Sequence, residues 1–290
     1  MLYILGALLA VVLLPQLSFP IQFSGVLKVR GGFSPASLAA IALLRDATAA
    51  IEEERRRTES ERDAFADFSA RIETLDVIEN RPISAGTIGV VQSRNGTSES
   101  RMESVRTAYR ETVMSVPHYG EDYGETLEEN LRAEFDDTVA AVVANGGQFS
   151  PQLKRTLLQG AREAERSREL FLGTLDDEHR GVVDAERELE TSTAVVDRVE
   201  ELRRRSFDEL LTTYETLERA ERRCSELVRT RQKRLLDRAR RDPQAEYPAI
   251  YEYLYAGLNS PFPVLSATAD RIETIRDRRR EVVDSIARRV

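Results

Sequence analysis

The stretch TAYRETVMSVPHYGEDYGETL, Thr107 to Leu127, holds one of the two histidines of the chain and three of its nine tyrosines. His118 is followed closely by Glu121, Asp122 and Glu125. One imidazole and three carboxylates are donor types that a divalent cation, or a metal-dependent enzyme, takes up. The spacing argues against it. It matches neither a calcium-loop pattern nor a helical His-x-x-x-His pair. The acids are also ordinary in a chain with 50 Asp and Glu. The stretch reads better as an aromatic-rich turn between two helices.

Other residues capable of chemistry are few. His179 falls on an apolar seam with no partner pattern, so it reads as a core or interface histidine. Cys224, the single cysteine, allows no internal disulfide and no cysteine-based zinc cluster. It too falls on a seam, where a free cysteine behaves as a small hydrophobe. The chain has no phosphate-binding Gly-rich loop, no GxSxG elbow and no CxxC. Arginine runs at Arg55–Arg57, Arg203–Arg205, Arg222-Arg223 and Arg278–Arg280 could face phosphates. Acids at helical spacing flank each run, as on salt-bridged solvated faces. No catalytic, cofactor-binding or metal residue is assigned.

The elements that would position these residues follow from composition. In 290 residues the charged fraction is 32%, aromatics are 7% and tryptophan is absent, which suits long helices with narrow apolar seams. Lysine occurs only at Lys28, Lys154 and Lys233, so arginine supplies nearly all of the 42 basic residues. Arginine over lysine with a net charge of −8 is similar to the proteins of salt-loving archaea. At about 1 M salt the Debye length is only about 3 Å, so long-range steering by charge is weak.

Met1 to Leu27 carries no charge, and Leu2 to Leu14 is almost wholly aliphatic. A run of about 20 apolar residues crosses a bilayer core, so residues 1–30 are expected to form a membrane-spanning or membrane-anchoring segment, in contact with lipid through residues 1–27. Pro15 predicts a kink. No basic stretch precedes the run and no small-residue cleavage site follows it, which argues against a signal peptide. Lys28 and Arg30 lie just beyond, so the positive-inside tendency puts the long C-terminal part in the cytoplasm.

From residue 34 to 290 a helical bundle domain is expected. Ser34-Pro35 starts a helix whose seam includes Leu44, Ile51, Phe65, Phe68 and Ile72, with a polar middle at EEERRRTESER. Residues of about 80–100 read as a flexible loop rich in Pro, Gly, Asn and Ser, with helix resuming near Ser98. Thr126 and Glu129 form a capping box for one helix ending at Gly146-Gly147. Ser150-Pro151 starts a rod of about 55 residues, about 80 Å at 1.5 Å per residue. Its seam includes Leu175, His179, Val182 and Leu189. Next comes the clearest heptad, Phe207, Leu210, Tyr214, Leu217, Glu221, Cys224, Val228, Arg231 and Leu235. A second tyrosine-rich connection, EYPAIYEYLYAGLNSPFPVL, precedes a last helix from about Ser266. These two connections are expected to dock on each other or to cap the bundle.

The segments YRETVMSVPHYGEDYGETLEENLRAEF, FSPQLKRTLL, YEYLYAGLNSPFPVLSATADRI and ERDAFADFSARI together resemble a haloarchaeal family of unknown function. The resemblance covers about residues 50 to 290. It implies a helical fold and a salt-adapted setting, and brings no activity, substrate or catalytic residue.

The expectation is thus an all-α, elongated antiparallel bundle of coiled-coil-like helices with an N-terminal transmembrane helix. It would act as a non-enzymatic scaffold through a protein partner or self-association of helix faces, with no small-molecule substrate identified. A metal-dependent enzyme using His118 and nearby acids, and an arginine-face nucleic-acid-associated protein, are the alternatives.

Overall fold

A computed structural model describes residues 35–77, 91–197, 202, 205–241 and 249–289. The fold is all-helical, with no strand among the described residues. The helices are α1 Pro35–Thr74, α2 Val91–Glu111, α3 Tyr119–Asp122, α4 Leu127–Glu134 and α5 Asp137–Ala144. They continue as α6 Pro151–Asp197, α7 Phe207–Arg241, α8 Ala249–Leu254 and α9 Pro263–Ala287.

The expected N-terminal membrane span, and with it the cytoplasmic placement of the C-terminal part, is not supported. Among the described residues no helix is long and apolar enough to cross a membrane. Charged side chains recur along the long helices α1 and α6, and a charge within a bilayer core is costly. Residues 1–30, on which the expectation rested, lie outside the described residues, as do 80–90 of the expected loop. Residues 91–100 are helical rather than loop, because α2 begins at Val91.

One further boundary differs from expectation. The helix after Thr126 is broken, because Asp136 caps a new one: its Oδ1 accepts the Val139 amide at 2.7 Å. The rod expected from Pro151 to about Phe207 is α6, described to Asp197, and the heptad segment expected from Phe207 is α7. Ser206 and Glu209 cap α7 reciprocally, the Ser206 amide donating to Glu209 Oε2 at 2.6 Å and the Glu209 amide to Ser206 Oγ at 3.3 Å. The Thr126–Glu129 capping box forms as its spacing requires. Gly146, at φ +82°, ends α5 in the left-handed region that favours glycine.

The chain divides into two compact units, which among the described residues comprise 55–174 and 35–54 with 175–289. In the first, Phe68 meets the Tyr109 ring edge-on at 5.1 Å and the Phe135 ring at 6.2 Å. Around them Ile72, Met102, Val105, Leu131, Val139 and Leu157 are buried. In the second, Leu44 and Ile51 of α1, Leu175, Val182 and Leu189 of α6, and Leu217 and Cys224 of α7 are buried, as are Val264 and Ile275 of α9. These are largely the predicted seam positions. The two tyrosine-rich connections belong to different units, and each packs within its own.

Candidate functional site

The polar middle of α1 continues the seam. Between Ile51 and Phe65 the inward positions are taken by Thr58, 4% exposed, and Glu61, whose side chain is 17% exposed. A buried carboxylate needs several donors to replace water, and the first tyrosine-rich connection supplies two. His118 is 6% exposed, and its Nε2 lies 3.0 Å from Glu61 Oε1. The Tyr123 hydroxyl donates to the same oxygen at 2.7 Å. Arg168 of α6 donates from Nε to Glu61 Oε2 at 3.1 Å. Its two terminal nitrogens grip Glu134 of α4 at 3.0 and 2.6 Å, while its guanidinium stands 4.6 Å over the Phe65 ring.

This geometry sets the protonation states. Burial alone would raise the Glu61 carboxyl, but hydrogen bonds from His118, Arg168 and Tyr123 outweigh it and hold the group below the usual carboxylate range. Burial, joined by the Glu61 charge, pushes the Tyr123 hydroxyl far above its ordinary value. For Arg168, burial works against the charge, yet Glu134 and Glu61 prevail and raise it further.

The three acids expected to accompany His118 diverge from it. Asp122 accepts from Arg57 at 2.6 Å. Glu121 is 78% exposed at its side chain and lies 3.7 Å from the same arginine. Glu125 accepts from Asn130 Nδ2 at 2.8 Å, and Asn130 Oδ1 accepts from the buried Tyr109 hydroxyl at 2.7 Å. Among the described residues no three His, Cys, Asp or Glu side chains gather as a metal-ligand set.

The second unit repeats the chemistry with other residues. Glu178 of α6, 3% exposed, accepts from Arg231 of α7 and from the Tyr255 hydroxyl, the latter at 2.7 Å. Arg231 stands 5.7 Å from the Tyr251 ring centre. Here the seam assignment is corrected by one residue. Glu178 occupies the buried position, while His179 is 38% exposed at its side chain and faces Glu52 at 3.6 Å. Tyr253 donates to Glu54 Oε2 at 2.8 Å. On α9, Arg276 and Arg279 both donate to Glu221, and Arg279 also to the Tyr214 hydroxyl at 2.7 Å. Cys224 is buried, and burial pushes its thiol up to about 11, which makes it a poor nucleophile at neutral pH.

Sequence reasoning missed Glu61, Glu134, Arg168 and Glu178. A signal for the second unit was present: Glu221 and Arg231 are the two charged members of the heptad seam, and each is in an ion pair. For Glu61 the comparable signal was a carboxylate in phase with Phe65 and Phe68.

In each unit a buried glutamate is shared between an arginine of another helix and a tyrosine of a connecting segment. The class this defines is a helical protein with internal charge clusters tying its helices together. A model of the family described as Domain of unknown function (DUF7260) matches residues 42–279. The chain belongs to that family, and the matched span contains every residue of both clusters. No curated protein and no solved structure matches it.

Proposed function

We propose that this chain is a non-catalytic interaction protein that works through its helix faces, binding a protein partner or a second copy of itself. The observation that carries the reading is the use made of the chemically capable residues. His118, Tyr123 and Arg168 all engage Glu61, and saturating a carboxylate in this way favours holding helices over turning over a substrate. Dispersal of Glu121, Asp122 and Glu125 to partners other than His118 weighs against the metal-dependent alternative.

The arginine runs support the same reading. Arg57 engages Asp122, Arg222 engages Glu218, Arg223 faces Glu188, Arg278 engages Glu281 and Arg279 engages Glu221. Arginines already neutralised by acids release few counterions on a polyphosphate, which disfavours nucleic-acid binding. The arginine-rich, acidic composition supports a salt-adapted archaeal setting, where buried pairs are screened far less than exposed ones.

Sedimentation of the purified chain at molar salt, alone and after capture from a native high-salt lysate, tests the proposal. The expected result is a concentration-dependent dimer or a stoichiometric protein complex. A strictly monomeric chain that retains a stoichiometric metal lost in His118→Ala would overturn it.

A further inference from the structure

Three of the six large hydrophobic side chains exposed among the described residues, Phe207, Leu211 and Val283, lie on α7 and α9 of the second unit. The two helices run antiparallel. Arg276 pairs with Glu221, Arg279 donates to Tyr214 and Arg289 donates to the Arg205 carbonyl. Val283, one turn beyond Arg279, is therefore level with Leu211, and Phe207 lies one turn further toward the start of α7. Around the helix axes, Phe207 and Leu211 fall within about 60° of Tyr214, and Val283 within about 60° of Arg279. Tyr214 and Arg279 join the two helices, so the three apolar side chains share one outer groove between them.

Single exposed apolar side chains are ordinary, whereas a group at one place marks a contact. Phe207 makes the point sharply. It is in heptad phase with Leu210, Leu217 and Cys224, all wholly buried, yet it is 50% exposed. The charges beside the groove point to its occupant. Residues 207–218 of α7 carry Asp208, Glu209, Glu215 and Glu218 and no basic residue. Residues 276–289, along the end of α9 that lies beside them, carry six arginines against Asp277, Glu281 and Asp284. One wall of the groove is acidic and the other basic, so the face complements a copy of itself rotated by half a turn.

We propose that this groove is the self-association face of the chain, closed by the same groove of a second copy across a two-fold axis. The inference rests on the interaction reading above and names its surface and its occupant. An axis normal to the groove, at the level of Leu211 and Val283, lays α7 of one copy over α9 of the other. The three apolar side chains then pack on their counterparts. Asp208 stands as far along its helix from Leu211 as Arg280 does from Val283, about 4.5 Å, and Glu215 and Arg288 lie at similar distances on the other side. Each of these acids thus meets an arginine of the other copy. All four are exposed. Arg280 pairs with Asp277 in a contact exposed on both sides, which contributes little, so it can turn to a new acid. Opposed charges set the register, while the apolar centre supplies the affinity.

The test is sedimentation of the full-length chain at molar salt over a range of concentrations, comparing Leu211→Glu with Leu236→Glu. Leu236 is also an exposed apolar residue of α7, 25 positions further on and about 38 Å away along the helix. The expected result is a dimer whose dissociation constant rises at least tenfold with Leu211→Glu and is unchanged by Leu236→Glu, with the helicity of the parent chain kept in both. Asp208→Arg and Arg280→Asp should each weaken the dimer. An equal mixture of those two chains should recover it, because a two-fold contact then sets opposite charges together at both places. In a Cys224→Ala background, Leu211→Cys should cross-link between copies through a short bismaleimide. Equal dissociation constants for Leu211→Glu and Leu236→Glu would overturn the proposal, as would a mixture that stays as weak as its components. A chain that is monomeric at every concentration, yet captures a different protein from native high-salt lysate, would overturn it while leaving the wider interaction reading intact.

Discussion

His118 lies 3.0 Å from Glu61, 57 positions earlier in the chain. The one histidine that looked like the centre of a site in the connecting segment instead donates to a carboxylate of the long first helix. Tyr123 and Arg168 complete the shell of that carboxylate. A buried ion pair is weak evidence of net stability, because desolvation offsets much of the attraction, but breaking one leaves an uncompensated charge. The cluster therefore fixes which helices meet and in what register.

Removal of Arg168 is the direct test of that role. Arg168→Met keeps the apolar stem over Phe65 but strands Glu61 and Glu134 without their cation, and loses about 3–5 kcal/mol of stability. The exposed pair between Arg71 and Glu111 is the comparator, where Glu111→Gln loses less than about 1 kcal/mol. Denaturant unfolding at molar salt measures both. Equal losses in the two variants would show that the cluster does not hold the unit together.

Acid should weaken the first unit through Glu61. Its carboxyl is held lower in the folded chain than in the unfolded chain, where it titrates near about 4.3. Over that window the unfolded state binds more protons, so stability rises with pH. The contribution is present above the unfolded value and disappears as pH falls through the lower folded one. Stability measured from pH 6 downward should fall less steeply in Glu61→Gln than in the parent chain, and parallel curves would refute the assignment.

The alkaline limb has the opposite sign. Burial holds the hydroxyls of Tyr109, Tyr123 and Tyr255 far above the ordinary tyrosine range, and raises Tyr119 to about 12. Unfolded tyrosines ionise near about 10. Below that pH the contribution is complete, and it is lost as pH rises toward the folded values. Tyrosinate absorbance should therefore appear in two steps, with the buried group ionising only as helix is lost. A single smooth step near the unfolded value, with helicity intact, would contradict the burial of these side chains.

Local structure was legible wherever one or two neighbouring residues decide it. Thr126 and Glu129 announce their capping box, and Leu44, Phe68, Leu189 and Leu217 announce the faces they bury. Asp136 was not legible as a cap, because one acid inside an apolar period looks like a solvated position until its amide partner is seen. The helical state of residues 91–100 was hidden by Asn, Gly and Ser, whose local preferences are overridden here. The partnership of Glu61 with His118 was not legible at all. It joins positions far apart in sequence, and 50 acids leave nothing in residue type to single out the buried one. Arg231 and Glu178 were half legible, since a charge kept in heptad phase demands a partner but does not name it.

Two glycines of α6 give a test in which the sign itself is the result. A methyl group added at Gly160 would stand 2.4 Å from Cδ1 and 2.7 Å from Cε1 of Phe135. That ring is fixed against Phe68 and Tyr109, so it has little freedom to retreat. Overpacking of this kind costs about 1–3 kcal/mol, more than the gain of up to about 1 kcal/mol that alanine brings to a helix interior. Gly160→Ala should therefore be net destabilising. At Gly173, on the same helix, nothing lies within 4 Å of the added methyl, and only the helix gain remains. Gly173→Ala should raise stability by about 0.5–1 kcal/mol. Thermal unfolding of both variants beside the parent chain measures the pair. If Gly160→Ala proved as stabilising as Gly173→Ala, the close approach of α6 to Phe135 would be wrong.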